Sequence, residues 1–395
     1  MPRVLRIINR LNLGGPTWNA ALLARHLEPE FETMLVSGNI DASEASSEFI
    51  VSSLHLQPVY VQGMYRELNP LRDLPALLRL QQIIRQFRPH IVHTHAAKAG
   101  ALGRMAAWLC QVPVVVHTFH GHVFHSYFSE SKSRMFVRME RFLAARSHAI
   151  VAISPLLKRE LVEEYNICRE DKVEVIPLGL DLDRFTRNQD TLRQRFRQQY
   201  RLSDDDLVVS IVGRLVPVKN HRMFFQALAL VQQQIARPIR AFVVGDGELR
   251  QPLEDFAREQ GLSLGLPEAF PHQTSVTFTS WVQDVERVYA GSDVVALTSL
   301  NEGTPVSIIE AQAAGKAVVA TRTGGIADLI VHGVNGLLAD RCDAESFARE
   351  LLHVLSDASL RQALGREAAK EARQRHDYHS MVEQMGSLYR RLLQA

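Results

Sequence analysis

Short runs of β-branched and apolar residues alternate with longer amphipathic stretches along the whole chain, and few folds accommodate that rhythm. The runs fall at Val4–Ile8, Thr33–Ser37, Ile91–His93, Val112–Thr118, Ala149–Ile153 and Val173–Ile176, then again at 207–214, Ala241–Val244, Val276–Thr279, Val294–Thr298 and Ala317–Ala320. Each run suits a strand and each gap suits a helix, which is the signature of βαβ units on a parallel sheet. The expected fold class is α/β. Between the two series the pattern lapses into turn residues from Pro177 to Arg187, followed by an Arg- and Gln-rich helical stretch. A chain of 395 residues is long enough for two domains with separate cores. Two doubly wound domains are expected, 1–185 and 186–377, with a terminal helix at 378–395 packing back on the first. Ligands of such sheets bind outside the carboxyl ends of the strands, so a cleft between two facing domains is the expected site.

Composition narrows the function. With 46% hydrophobic and 22% charged residues and a formal net charge of +2, the chain reads as globular. It lacks the basic excess of a nucleic-acid binder. Cys110, Cys168 and Cys342 show no CxxC spacing, which argues for buried free thiols in a reducing compartment rather than a disulfide framework. The apolar start is broken by Arg6 and Arg10 and no small-residue cleavage site follows, so a signal peptide is not expected. No apolar run reaches the ~18 residues of a membrane span, and the expected location is cytoplasmic.

Glu302 and Glu310 bracket the densest chemistry, in NEGTPVSIIEAQAAGKAVVA. Pro305 suits the first turn of a helix. Gly303 and Thr304 before it make a tight loop that feeds the helix, whose free N–H groups and positive dipole end attract an anion such as phosphate. Glu302 is then expected to face hydroxyls beside the phosphate, and Glu310, two turns inside the helix, a second set. Gly14, Gly15 and Pro16 after the first strand, with a helix from about Thr17, form a second candidate anion site. The loop GRLVPVKN at 213–220 offers Arg214 and Lys219, two cations able to neutralise a diphosphate. Gly245, Asp246 and Gly247 lie at another strand end.

Several features read two ways. His117, His120, His122 and His125 invite a metal, yet no carboxylate or cysteine joins them. His120 at a strand end is better placed to hydrogen-bond a substrate hydroxyl, and His117 suits a core residue. Asp181 with Asp183, and Asp204 to Asp206, have the spacing of a divalent-metal DxD motif but suit turns and caps. The helix at 131–148, with Lys132, Arg134, Arg138, Arg141 and Arg146 near Phe128, Phe136 and Phe142, fits either an anionic lipid surface or a solvated face.

Taken in order, these segments resemble the family-4 retaining glycosyltransferases. The likeness runs through Gly14–Gly15, His120–Gly121, VIPLGLDLDRF, GRLVPVKN, VVGDGELR and the Glu302–Glu310 block with GGIADLIVHGVNGLL behind it. It implies the GT-B architecture of two Rossmann-like domains and a metal-independent transfer of a hexose from a nucleoside diphosphate sugar, with a UDP-sugar the expected donor, to a saccharide or lipid-linked saccharide. No further cofactor is implied. By the resemblance Arg214 and Lys219 hold the diphosphate, Glu310 the ribose, Glu302 a sugar hydroxyl, His120 the far edge of the sugar and Gly15 the phosphate. The backbone of Gly303, Thr304, Pro305 and Val306 completes the cradle. The chain departs from the family where Leu178 stands for Asn, Trp281 for Gly and Asp328 for Glu, and Trp281 is expected to narrow the donor pocket. The rival expectations are a nucleotide-sugar epimerase on the same architecture and a sugar-nucleotide-binding protein without catalysis.

Overall fold

The computed structural model describes residues 1–12, 14–39, 46–65, 69–121, 130–265 and 275–394, without the side chains of 70 and 130–132. His122, His125, Phe128 and the Lys132 side chain, all named above, lie outside the described set. The chain divides into two compact units, Met1–Leu180 with His376–Ala395, and Asp181–Arg375.

In the first unit the strands are β1 (Arg3–Ile8), β2 (Glu32–Gly38), β3 (Val59–Val61), β4 (Ile91–His95), β5 (Val114–Phe119), β6 (Ala149–Ala152) and β7 (Val173–Val175). They form one sheet in the order β3-β2-β1-β4-β5-β6-β7, with every pair parallel. β4 and β5 are buried throughout, and both carry buried His and Thr (His93, Thr94, His95, His117 and Thr118) where a strand covered on both faces usually runs apolar. The helix Tyr378–Gln394 belongs to this unit: Met381, Met385, Leu388 and Tyr389 pack with Val4, Leu23, Leu27 and Phe31 in one core cluster.

The second unit repeats the plan with β8 (Leu207–Val212), β9 (Ile239–Val244), β10 (Leu264–Gly265), β11 (Val276–Ser280), β12 (Val294–Leu297), β13 (Ala317–Thr321) and β14 (Leu337–Ala339). Their order is β10-β11-β9-β8-β12-β13-β14, again all parallel. One sheet face packs on Phe224, Phe225, Leu228, Phe347 and Leu351, and the other, through Val208, Phe242 and Val244, on Phe196 and Val288.

The α/β class is as expected. Strands β3, β10 and β14 were not anticipated: each is a sheet edge of two or three residues, a length that carries little pattern, although the equally short edge β7 was read from Val173–Ile176. β5 starts at Val114 rather than Val112 because Pro113 has no N–H for the ladder. Cys110 and Cys168 are half-buried and Cys342 is exposed, so the expectation of buried thiols is corrected. Cys342 stands in a turn at a positive φ.

Candidate active site

In each sheet the chain starts in the middle and winds outward in both directions, and the reversal marks where ligands of doubly wound sheets sit. In the second unit the reversal lies between β8 and β12. The loops leaving these two strands are stitched together: Leu300 N–H donates to the Val218 carbonyl at 2.8 Å, and the Thr298 hydroxyl reaches the carbonyls of Lys219 and Asn220, each at 3.1 Å. Lys219 ends a single 3-10 turn, Pro217–Lys219. Its ammonium forms an ion pair with Glu302 Oε1, and both side chains are largely covered. The Ser299 hydroxyl donates to the same oxygen at 2.6 Å. Arg214, on the same loop, is exposed, and its guanidinium has no hydrogen-bond or ion-pair partner among the described residues.

Glycines set how closely the neighbouring loops approach. Gly245 follows β9 at φ +136°, where a Cβ would stand 2.0 Å from the Gly213 carbonyl oxygen. Beneath the Glu302 loop, a Cβ on Gly325 would meet the Gly303 carbonyl oxygen at 1.7 Å, and one on Gly324, at φ +47°, the Glu302 carbonyl oxygen at 2.1 Å. Gly325 N–H donates to that Glu302 carbonyl at 3.0 Å, while Thr321 and Thr323 hydroxyls hold the carbonyls of Ser299 at 2.6 Å and Leu300 at 2.9 Å. The loop is fixed from behind by a second loop.

The helix that follows runs from Val306 to Ala313, with Pro305 as its N-cap in extended geometry. Pro305 therefore precedes the first turn rather than lying in it, and Glu310 sits little more than one turn inside rather than two, at ~3.6 residues per turn. No side chain caps this helix start and no acidic residue occupies its first turn. Its N–H groups of Val306 and Ser307 are unclaimed by any described side chain.

Glu310 accepts from the buried Tyr289 hydroxyl at 2.9 Å. Burial pushes its carboxyl up to about 7, against the pull of the Tyr289 bond and of Arg184, with Glu286 pushing the same way as burial. Arg184 pairs with Glu286 at 2.5 Å.

In the first unit the reversal lies between β1 and β4. Gly14, at φ +151°, is the N-cap of the helix Gly15–His26, which has no acidic residue in its first turn and no side-chain cap. This helix starts two residues before Thr17. The Thr17 hydroxyl instead fastens the Asn12 carbonyl at 2.8 Å. His120 follows β5 and lies half-buried, with Nε2 3.1 Å from His95 Nδ1. Burial lowers its pKa to about 3. His117 is fully buried and bonds Thr94 at 2.8 Å. The expected site residues thus fall into two groups. Gly14, Gly15 and His120 belong to the first unit, and Arg214, Lys219, Gly245, Glu302, Gly303, Thr304, Pro305, Val306 and Glu310 to the second.

The acidic pairs serve turns. Asp181 accepts from Asp183 N–H at 3.2 Å, and Asp206 binds Ser203 N–H at 2.6 Å and Arg240 at 3.1 Å. Among the described residues no group of three metal-ligating side chains occurs. On the basic helix, now Glu130–Ala145, Arg134 and Arg138 are exposed. Arg141 is tied to the Tyr165 carbonyl at 2.7 Å. Among the described residues no helix is long and apolar enough to cross a membrane.

Sequence reasoning gave no site role to Ser299, Tyr289, Gly324 or Gly325 in the second unit, nor to Arg6, His93, His95 or Tyr389 in the first, although it noted Arg6 and the glycine pair. The adjacent glycines in TRTGGIAD and a lone arginine inside the apolar run of β1 were the available signals.

Two family models match the chain: "Glycosyltransferase Family 4" over residues 13–184 and "Glycosyl transferases group 1" over residues 193–371. An Escherichia coli UDP-Gal:alpha-D-GlcNAc-diphosphoundecaprenol alpha-1,3-galactosyltransferase is 31% identical over 76% of this chain and 75% of its own. The Staphylococcus aureus capsular polysaccharide biosynthesis glycosyltransferase CapM is 24% identical over 85% of each chain. Among solved structures, Anabaena HepE in complex with UDP and glucose superposes with a TM-score of 0.81 at 21% identity, over 98% of this chain and 99% of that one.

Proposed function

The chain belongs to the family 4, group 1 glycosyltransferases, and from that premise we propose that it moves a hexose from a UDP-sugar to a hydroxyl of a saccharide or lipid-linked saccharide in envelope or exopolysaccharide synthesis, with retention at the anomeric carbon and without a metal ion. The observation that carries this reading is the Lys219–Glu302 pair at the switch point, beside the unpartnered Arg214 and the uncapped start of the helix Val306–Ala313. Departure of the diphosphate builds negative charge on its oxygens while the sugar becomes oxocarbenium-like. Arg214 as a fork and Lys219 as a point charge meet that charge, and the N–H groups of Gly303, Thr304 and Val306 add donors that need no reorganisation. Pro305 has no N–H to offer. Glu302 engages Lys219 and Ser299 through one carboxylate oxygen, which leaves Oε2 for a sugar hydroxyl. Glu310 accepts from the ribose, Gly245 permits close approach, the backbone at Gly14 and Gly15 donates to phosphate, and His120 hydrogen-bonds the sugar's far edge. The bond from C1 to the leaving phosphate breaks as the acceptor oxygen bonds C1 on the same face, and the acceptor proton passes to that phosphate oxygen.

The UDP assignment draws on the E. coli relative and on the HepE complex. A thermal-shift screen of nucleotide sugars tests it, since a ligand at ~100 times its dissociation constant adds ~2.7 kcal/mol. Lys219→Ala and Glu302→Ala are each expected to lower turnover at least ~100-fold with donor and acceptor saturating. Wild-type rates in both would refute the assignment. A free epimer formed from the donor alone would favour the epimerase, and donor binding without turnover on any acceptor the non-catalytic reading.

Contact with anionic lipid is part of the proposal. Exposed Arg134 and Arg138 are accompanied by Met135 and by Arg146 stacked on Phe142, 3.7 Å from its ring centre. On the helix Pro70–Phe87, Leu71, Leu74 and Leu78 are 87%, 59% and 57% exposed. Basic residues beside exposed apolar ones are the composition of a peripheral lipid-facing surface.

A further inference from the structure

Arg6 is fully buried in β1, and its guanidinium faces no carboxylate among the described residues. Its acceptors are His93 Nδ1 at 2.9 Å, His95 Nε2 at 3.2 Å and the Tyr389 hydroxyl at 3.2 Å. A buried cation held only by neutral acceptors is costly unless it does something that a neutral group cannot.

A guanidinium only donates, and this fixes protons down a line of rings. His95 Nε2 must accept from Arg6, so a neutral His95 carries its proton on Nδ1. That Nδ1 lies 3.1 Å from His120 Nε2, so His120 Nε2 must accept in turn and its proton sits on Nδ1. His120 Nδ1 is shielded from solvent and has no hydrogen-bond partner among the described residues. The rings stand in a row, His93 to His95 at 4.3 Å and His95 to His120 at 5.4 Å between centres, both pairs stacked. His93 branches off the line. It accepts on Nδ1 and donates from Nε2 to Thr118 at 2.7 Å, which anchors the row to β5. Burial and the Arg6 charge hold His93 and His95 well below the usual histidine range, so each ring has one proton to place. An unpaired buried N–H is costly, so a ligand acceptor that reached His120 Nδ1 would relieve that cost.

We propose that Arg6 and His95 are positioning residues that lock His120 in its Nδ1–H tautomer, so that His120 meets substrate as a hydrogen-bond donor and not as a base. Its Nε2 lone pair is already engaged by His95. The use of that donor on a sugar oxygen rests on the glycosyltransferase reading above, whereas the tautomer itself does not.

The test reads ring nitrogens by NMR on the full chain labelled with 15N-histidine, with His120 assigned by its disappearance in His120→Gln. The expected wild-type spectrum has a pyrrole-type Nδ1 and a pyridine-type Nε2 for His120. Arg6→Met is expected to lose that single tautomer and Arg6→Lys, which still only donates, to keep it. A protonated Nε2 on wild-type His120, an unchanged His120 signal in Arg6→Met, or loss in Arg6→Lys equal to that in Arg6→Met would each overturn the proposal. A purely structural Arg6 would lower the melting temperature and leave the His120 signal alone. Should Arg6→Met fail to fold, His95→Phe cuts the same line at its next link, and the wild-type spectrum alone still decides. No turnover is needed, so loss of the tautomer and loss of the enzymatic assignment are told apart.

Discussion

At Glu310, burial and the proposed ribose contact pull against each other. Its folded pKa of about 7 lies above the ordinary value of 4.5, so between those limits the native state binds more protons than the unfolded chain. Stability therefore falls as pH rises through that window. Glu310→Gln is expected to flatten the fall and to melt higher than wild type above about pH 7, with no difference below about pH 4.5; urea titrations across the range would measure it. The ligand runs the other way. A carboxylate accepts from hydroxyls more strongly than a protonated carboxyl does, so with Glu310 on the ribose as proposed, UDP affinity is expected to weaken as pH drops below about 7. Calorimetric titration with UDP checks the slope, and a pH-independent affinity would remove Glu310 from the ribose site. Glu302, Lys219 and Arg214 could be picked out as candidates from the sequence because they are charges in the loops that follow strands, and the structure pairs Lys219 with Glu302. Tyr289, Ser299 and Arg184 could not, since a hydroxyl or cation arriving from a distant element leaves no local spacing to see.

Among the loops, backbone-to-backbone closeness decides what is tolerated. A Cβ at Gly325 or Gly245 has no flexible side chain to displace, only the carbonyls of Gly303 and Gly213. Gly325→Ala is expected to cost ~2 kcal/mol or more, a drop in melting temperature of ~4–8 °C, together with weakened UDP binding as the Glu302 loop is pushed out. Gly315→Ala is the control: its Cβ would meet nothing nearer than 4.0 Å, although its φ of +69° carries strain. Equal binding losses in both variants would mean that the loop is not supported from behind. The central strands were readable because parallel strands buried on both faces advertise themselves as Val- and Ile-rich runs. The edges β3, β10 and β14 were not, because two or three residues carry little pattern and owe their geometry to the strand beside them.

At the scale of the molecule the exposed leucines of Pro70–Phe87 and the arginines of Glu130–Ala145 bear on one outcome. Co-sedimentation with vesicles rich in phosphatidylglycerol is expected for wild type, and Leu74→Glu with Leu78→Glu is expected to reduce it several-fold, with salt weakening what remains. Binding unchanged by the leucine substitutions, or absent in wild type, would remove the lipid contact from the proposal. The two-sheet plan was evident from the repeated βαβ rhythm. The hydrogen-bonded tie at Leu180 N–H to the His376 carbonyl, 2.8 Å, and Tyr378 N–H to the Leu180 carbonyl, 3.2 Å, was not, because it joins residues nearly two hundred positions apart. The first unit's core takes Met381, Met385, Leu388 and Tyr389 from the helix after that tie, and Tyr389 also grips Arg6. During synthesis on the ribosome this helix emerges only after all of Asp181–Arg375. The segment made first must therefore wait with an apolar flank uncovered while the segment made later can already close, so nascent chains halted before Tyr378 should recruit chaperones through their oldest part.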